Sequence, residues 1–142
     1  MHEQAGAMRE KVCLVTGGTS GIGYATALGL AQHDAQVVIV GRDSPRGPQA
    51  VASIQKEIGS AKVSFLSGDL SDQAQVRGLA QRFKEQYPRL DVLVNNAGAA
   101  FLRRKTSVDG IEMTWALNHL SYFLLTCALF DLLQASGRSR IV

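Results

Sequence analysis

The chain has 142 residues, 46% hydrophobic and 19% charged, which is the size of one domain able to bury a core of its own. Fifteen Lys and Arg against 12 Asp and Glu leave a net charge of only +3, which argues against a strongly basic nucleic-acid binder and against an acidic disordered chain. Two cysteines, Cys13 and Cys127, cannot make a secreted-type disulfide framework; both sit in apolar runs and read as buried free thiols of a reducing, cytoplasmic compartment. Residues 1–10 are polar and of mixed charge, resemble neither a signal peptide nor an anchor, and are expected to be flexible.

In chain order, the first strand is Val12-Cys13-Leu14-Val15, followed by a glycine-rich loop that leads directly into a helix. Val37-Val38-Ile39-Val40 reads as the second strand. A helix over 48–58 places Val51, Ile54 and Ile58 on one face, entered through Pro48 and left through Gly59. Val63-Ser64-Phe65-Leu66 is the third strand. A helix over 72–87 follows, with Ser71 placed to cap it and Val76, Leu79, Ala80, Phe83 and Tyr87 at helical spacing. The fourth strand is Val92-Leu93-Val94, and the sequence stops at what reads as the start of a fifth, Ile141-Val142.

Residues 109–135 are expected as one long helix, opened by Asp109 and Glu112 and carrying a stripe of Ile111, Trp115, Tyr122, Leu129 and Leu133. Its uncharged stretch, 113–130, is 18 residues long, but Asn118, His119, Ser121, Tyr122 and Thr126 interrupt it. A buried helix is the better reading than a membrane span. Trp115 reads as core, and His119 as a helix residue near the core. His2 and His33 read as surface residues, and no metal-ligand spacing is present.

The strand runs are apolar throughout instead of alternating, and the first three begin at 12, 37 and 63. Both features fit βα units whose strands are covered on two faces. The expected fold is therefore α/β: a Rossmann-type doubly wound parallel sheet with helices on both faces, one domain over 1–142, truncated at the start of the fifth strand. Ligands of such sheets lie at the C-terminal strand ends, so the residues just after each strand are the place to look.

After the first strand stands Thr16-Gly17-Gly18-Thr19-Ser20-Gly21-Ile22-Gly23. Glycines spaced this way let the backbone turn tightly and approach a pyrophosphate at a helix N-terminus. The second strand ends in Gly41-Arg42-Asp43. A site for NAD(H) usually carries an acidic residue near this point to hold the ribose hydroxyls. Glycine removes that carboxylate, and the Arg42 guanidinium suits a 2′-phosphate, so the expected cofactor is NADP(H) before NAD(H). The competing reading leaves Arg42 in solvent and gives the ribose to Asp43. Gly68-Asp69-Leu70 follows the third strand, and Asn95-Asn96-Ala97-Gly98 the fourth.

Together with Asn118, these motifs resemble the short-chain dehydrogenase/reductase family over residues 11–142. The resemblance implies that Thr16, Gly17, Thr19, Ser20, Gly21, Ile22 and Gly23 hold the cofactor phosphates. It also implies that Asp69 and Leu70 lie at the adenine, and that Asn96, Ala97 and Gly98 lie beside the middle of the cofactor and steady the central sheet. Asn118 is similar to the asparagine of the family's Asn-Ser-Tyr-Lys tetrad, where it serves a proton relay through a water; the surrounding Trp115, Leu117, Leu120 and Leu124 suggest buried partners for it. The stretch from Asp109 to Thr126 resembles the retinol-dehydrogenase-like branch, which implies a lipophilic carbonyl or alcohol substrate, retinoid- or steroid-like.

The tetrad's Ser and Tyr-x-x-x-Lys have no counterpart here. Tyr24, Tyr87 and Tyr122 each lack a Lys four residues on, and no Lys follows Lys105. The resemblance thus predicts an NADP(H)-dependent oxidoreductase represented by its cofactor half, inactive in this portion alone and homo-oligomeric when whole. The alternative from another class is a non-catalytic nucleotide-binding or interaction module, should the native chain end at Val142. A methyltransferase of similar strand-helix pattern leaves Asn95-Asn96-Ala97-Gly98 and Arg42 unexplained. Arg103-Arg104-Lys105 reads as a solvated loop.

Overall fold

A computed structural model describes residues 8–42, 45–60 and 62–142; the expectations for residues 1–7, among them His2, and for Asp43 fall outside the described residues. The sheet has five strands in the order β3-β2-β1-β4-β5: β1 Val12–Thr16, β2 Gln36–Gly41, β3 Val63–Ser67, β4 Val92–Val94 and β5 Arg140–Ile141. Every pairing is parallel, with Thr16 opposite Val40 and Val15 opposite both Ile39 and Val94. The chain runs outward from β1 to β3, then crosses back to lay β4 on the other side of β1. That crossing makes a switch point between β1 and β4, where a cleft opens at the strand ends.

The uninterrupted apolar strands have the cause expected of them. Cys13, Val15, Val37 and Ile39 point to one face, against Ala27 and Ala31 of α1 (Gly21–Gln32) and Ala50 and Ile54 of α2 (Arg46–Ile58). Leu14, Val38 and Val40 point to the other, against Val76, Leu79 and Phe83 of α3 (Gln73–Gln86) and against Leu125, Leu129 and Leu133. With both faces covered, a strand has no solvent side on which to place polar residues. The small residues Gly23, Ala27 and Ala31 let α1 lie close to the sheet.

Three local expectations change. α2 starts at Arg46, two residues before Pro48. Proline is tolerated there because the N–H groups of a first turn have no helical acceptor. Asp72, not Ser71, caps α3, accepting from the amides of Ala74 at 2.9 Å and Gln75 at 3.3 Å. Ser71 instead donates to Asp69. Met8, Arg9 and Glu10 form a turn tied to the body by the Met8 amide on the His33 carbonyl.

The expected single helix over 109–135 is not one helix. It begins as α4 (Met113–Trp115), widens into a π-turn over Ala116–Leu120, continues as α5 (Ser121–Ala128), breaks at Leu129 and resumes as α6 (Phe130–Ala135). Glu112 caps its start through the amides of Thr114 and Trp115, while Asp109 accepts from the amide of Gln73. Only part of the expected stripe is core. Leu129 and Leu133 are buried, whereas Trp115 is 54% exposed and stacks on an exposed His119, ring centroids 4.3 Å apart. Cys13 is buried as expected, and Cys127 is exposed because it falls on the side of α5 turned from the sheet. Among the described residues, no helix is long and apolar enough to cross a membrane.

Candidate functional site

The cleft at the switch point has a volume of about 530 Å³. It is walled in turn by the ends of β3, β2, β1 and β4. Gly68, Asp69, Leu70 and Ser71 stand at one end, with Gly41, Arg42 and Arg46 beside them. Gly17, Thr19, Ser20, Ile22 and Gly23 form the centre. Asn96, Ala97, Gly98 and Ala99, with Phe101, Met113 and Leu117, form the other end.

The centre is built around an open helix end. Ser20 precedes α1 in extended conformation and makes no side-chain cap, and the first turn carries no acidic residue. The leading amides therefore face the cleft with a partial positive charge and no protein acceptor from the cap position. Gly23 is required for this approach, since a Cβ there would lie 2.2 Å from the Gly17 carbonyl oxygen and 2.4 Å from the Asn96 side-chain Nδ2. Gly17, at φ +65°, makes the turn itself. This cradle suits a pyrophosphate.

Thr16 turns away from the cleft, contrary to the expectation that it holds phosphate. Its fully buried hydroxyl accepts from the amides of Asn96 (2.9 Å) and Ala97 (3.0 Å) and donates to the Val94 carbonyl (3.2 Å). The Asn96 carboxamide donates to the carbonyls of Thr16 and Gly17. These two side chains lock the loop after β1 to the loop after β4. Neighbouring Asn95 donates to Thr126 at 3.4 Å, and its Oδ1 is buried without a protein partner.

At the β2 end, a Cβ on Gly41 would sit 2.8 Å from Thr19 Cγ2, so an acidic side chain there would displace Thr19. Arg42 is exposed on the cleft wall, and Arg46, which sequence reasoning missed, joins it from the first position of α2. Its only signal in the sequence was a second cation four residues beyond Arg42. Asp69 is oriented by Ser71, whose amide and hydroxyl both reach Oδ1, at 2.9 and 2.7 Å.

The β4 end is apolar by comparison. Phe101, Met113 and Leu117 were not anticipated, because nothing in their spacing distinguishes a cleft wall from core. Asn118 is not among the lining residues and lacks the buried surroundings expected of it. It is exposed and reaches across to one residue, Oδ1 accepting from the Ala99 amide and Nδ2 donating to the Ala99 carbonyl, both at 2.9 Å. Tyr122 donates to the Ala97 carbonyl at 2.6 Å, and burial raises its phenol above the ordinary value. Gly21 also lies outside the cleft lining, at φ +55° on the first position of α1. Among the described residues, no group of three His, Cys, Asp or Glu could hold a metal ion.

A parallel sheet whose first helix opens on a glycine loop at the switch point is a Rossmann-type nucleotide-binding domain. Residues 11–142 match the short chain dehydrogenase family, and the chain belongs to it. It is 41% identical over 128 residues to polyprenol dehydrogenase of Homo sapiens, covering 90% of this chain and 39% of that protein. It is 41% identical over 132 residues to human retinol dehydrogenase 11, covering 93% and 42%. Among solved structures, the Pseudomonas aeruginosa RhlG/NADP active-site complex matches with TM-score 0.79 at 36% identity, over 96% of this chain and 52% of that one. L-Sorbose reductase from Gluconobacter frateurii, complexed with NADPH and L-sorbose, matches with TM-score 0.83 at 27% identity, over 96% and 52%. The chain thus spans about two fifths of these curated relatives and half of these structures.

Proposed function

We propose that this chain is the NADP(H)-binding portion of an oxidoreductase acting on a small-molecule carbonyl or alcohol. The observation that carries the reading is the β2 end of the cleft, where Gly41 brings no carboxylate and Arg42 and Arg46 supply two guanidiniums. Such a pair suits a 2′-phosphate and not a bare ribose. The open N-terminus of α1 would take the pyrophosphate, Asp69 and Leu70 the adenine side, and residues 96–98 the middle of the cofactor. When bound, NADP(H) supplies or accepts the hydride. The protein's share is to bind, orient and exclude water at the apolar β4 end.

The lipophilic substrate class, retinoid-, steroid- or polyprenol-like, is supported by the named activities of the relatives and by Phe101, Met113 and Leu117 on the cleft wall. Homo-oligomerisation is supported by the exposed Trp115, Phe123 and Phe130 along the long helical segment, a pattern that sedimentation analysis would test. A reducing, cytoplasmic setting is supported by two free thiols. Asn118 belongs to the same reading as a contributor to proton relay. The alternative reading is a nucleotide-binding or interaction module without chemistry of its own.

Titration with NADPH and NADH, repeated on Arg42→Glu, tests the cofactor assignment. NADPH should bind more tightly to the natural protein, and the variant should lose at least about tenfold of that preference, the value of a charge-assisted hydrogen bond pair. A variant that keeps its preference for NADPH removes Arg42 from the site. Turnover of retinal-like aldehydes by the protein in its native length separates the enzyme from the binding module.

A further inference from the structure

We propose that Tyr122 is a positioning residue that sets the peptide ledge at the nicotinamide end of the cleft; the inference rests on the NADP(H) reading above. Residues 97–99 line the cleft but lie in no helix or strand, so their own backbone bonding does not fix them. They are fixed from behind. Tyr122 donates to the carbonyl of Ala97 at 2.6 Å, and Asn118 takes both polar groups of Ala99 at 2.9 Å. Gly98, between the two, lies close against Asn118: a Cβ on it would meet Oδ1 at 3.2 Å and push the carboxamide back.

The helix itself is shaped for this grip. At the π-turn the Ser121 amide reaches back to the Ala116 carbonyl, one residue further than an α-helix allows. The buried Ser121 hydroxyl then donates to the Leu117 carbonyl at 2.6 Å, the acceptor its own amide has given up. A wide turn is a departure from the favoured helix, and here it coincides with the two side chains that hold the ledge. Strand order puts this ledge opposite Arg42 and Asp69, so a cofactor whose adenine half lies at β2 and β3 extends its other half over residues 97–99. Tyr122 is not itself on the cleft wall and acts through the Ala97 peptide.

The test compares NADPH with 2′-phosphoadenosine-5′-diphosphoribose, which lacks nicotinamide, on the natural protein and on Tyr122→Phe. Loss of this part-buried hydrogen bond should weaken NADPH about five- to tenfold, while the nicotinamide-free ligand binds as before. A purely structural tyrosine would lower the melting temperature and weaken both ligands alike, or neither, and either result overturns the proposal. Amide exchange at Ala99 of the natural protein gives a second reading that needs no variant. NADPH should slow it beyond the effect of the nicotinamide-free ligand, and equal rates overturn the proposal. A natural protein that binds neither ligand refutes the cofactor reading itself, and the positioning role falls with it.

Discussion

The two ends of the same sheet solve the burial of polar groups in opposite ways. At the N-terminal strand ends Asp91 is 1% exposed, and its charge is met in full. Arg89 donates to both its oxygens at 2.8 and 2.6 Å, Lys11 at 3.0 Å and the Val12 amide at 2.9 Å. At the C-terminal ends the corresponding groups are neutral: the buried Thr16 hydroxyl and the half-buried Asn96 carboxamide bind backbone only. A charge buried with its partners holds strands together but leaves nothing for a ligand. Neutral groups that consume one another's bonds hold the loops equally well, while the helix end and the cleft arginines stay available to an anion.

This contrast is broken most forcefully at Asp91. Replacing it with Ala orphans the buried Val12 amide and two cations, and should cost about 3 kcal/mol in urea unfolding, with NADPH affinity of the folded protein unchanged. Burial alone would raise the Asp91 carboxyl, but the hydrogen bonds from Arg89, Val12 and Lys11 outweigh it and hold the group below the ordinary carboxylate value. A depressed folded-state value means that this stabilisation is complete above an unfolded value of about 4 and disappears as the pH falls through the folded value. The natural protein should therefore lose stability along an acid limb that Asp91→Ala lacks, and identical acid limbs would show the cluster to be idle.

At the other end, Thr16→Val keeps the shape and deletes the hydroxyl, leaving the Ala97 amide without its acceptor and the Asn96 amide with only the Val94 carbonyl at 3.1 Å. About 1–2 kcal/mol of stability should be lost, and here NADPH should bind more weakly as well, because both loops move. Weakened folding with intact binding would mean that the two ends differ less than their geometry implies. The smallest effect belongs away from both ends, where Lys84 meets Asp131 at 2.9 Å between α3 and α6. Lys84→Ala should change stability by less than about 0.5 kcal/mol and leave binding untouched, since an exposed pair competes with water.

Much of the sheet side of the molecule could be read in advance. Strand positions followed from β-branched apolar runs, and twelve of the residues singled out stand where the chain leaves those strands, eleven of them on the cleft wall. The long segment after β4 was read less well. A stripe at helical spacing put Trp115 in the core and ran a single helix to residue 135, whereas the π-turn and the break at Leu129 change the phase partway along. Spacing assumes one period, and a turn of different width shifts every later residue. Cys127 was misplaced because it was read from the apolar run around it, which does not say which side of α5 faces the sheet.

Arg46, Phe101 and Tyr122 were missed because their relevance depends on what the crossover places nearby. A guanidinium, a phenyl ring and a phenol have no chemical signature in isolation. The sequence by itself determined the α/β class, the glycine loop and the absence of a carboxylate at the end of β2, because each is a property of one residue or of a short periodic run. Only the tertiary structure decided that Thr16 faces inward and that Asn118 and Tyr122 hold the ledge after β4. Those outcomes depend on which backbone groups a side chain can reach across 19 to 80 positions of sequence, and sequence spacing carries no record of that distance.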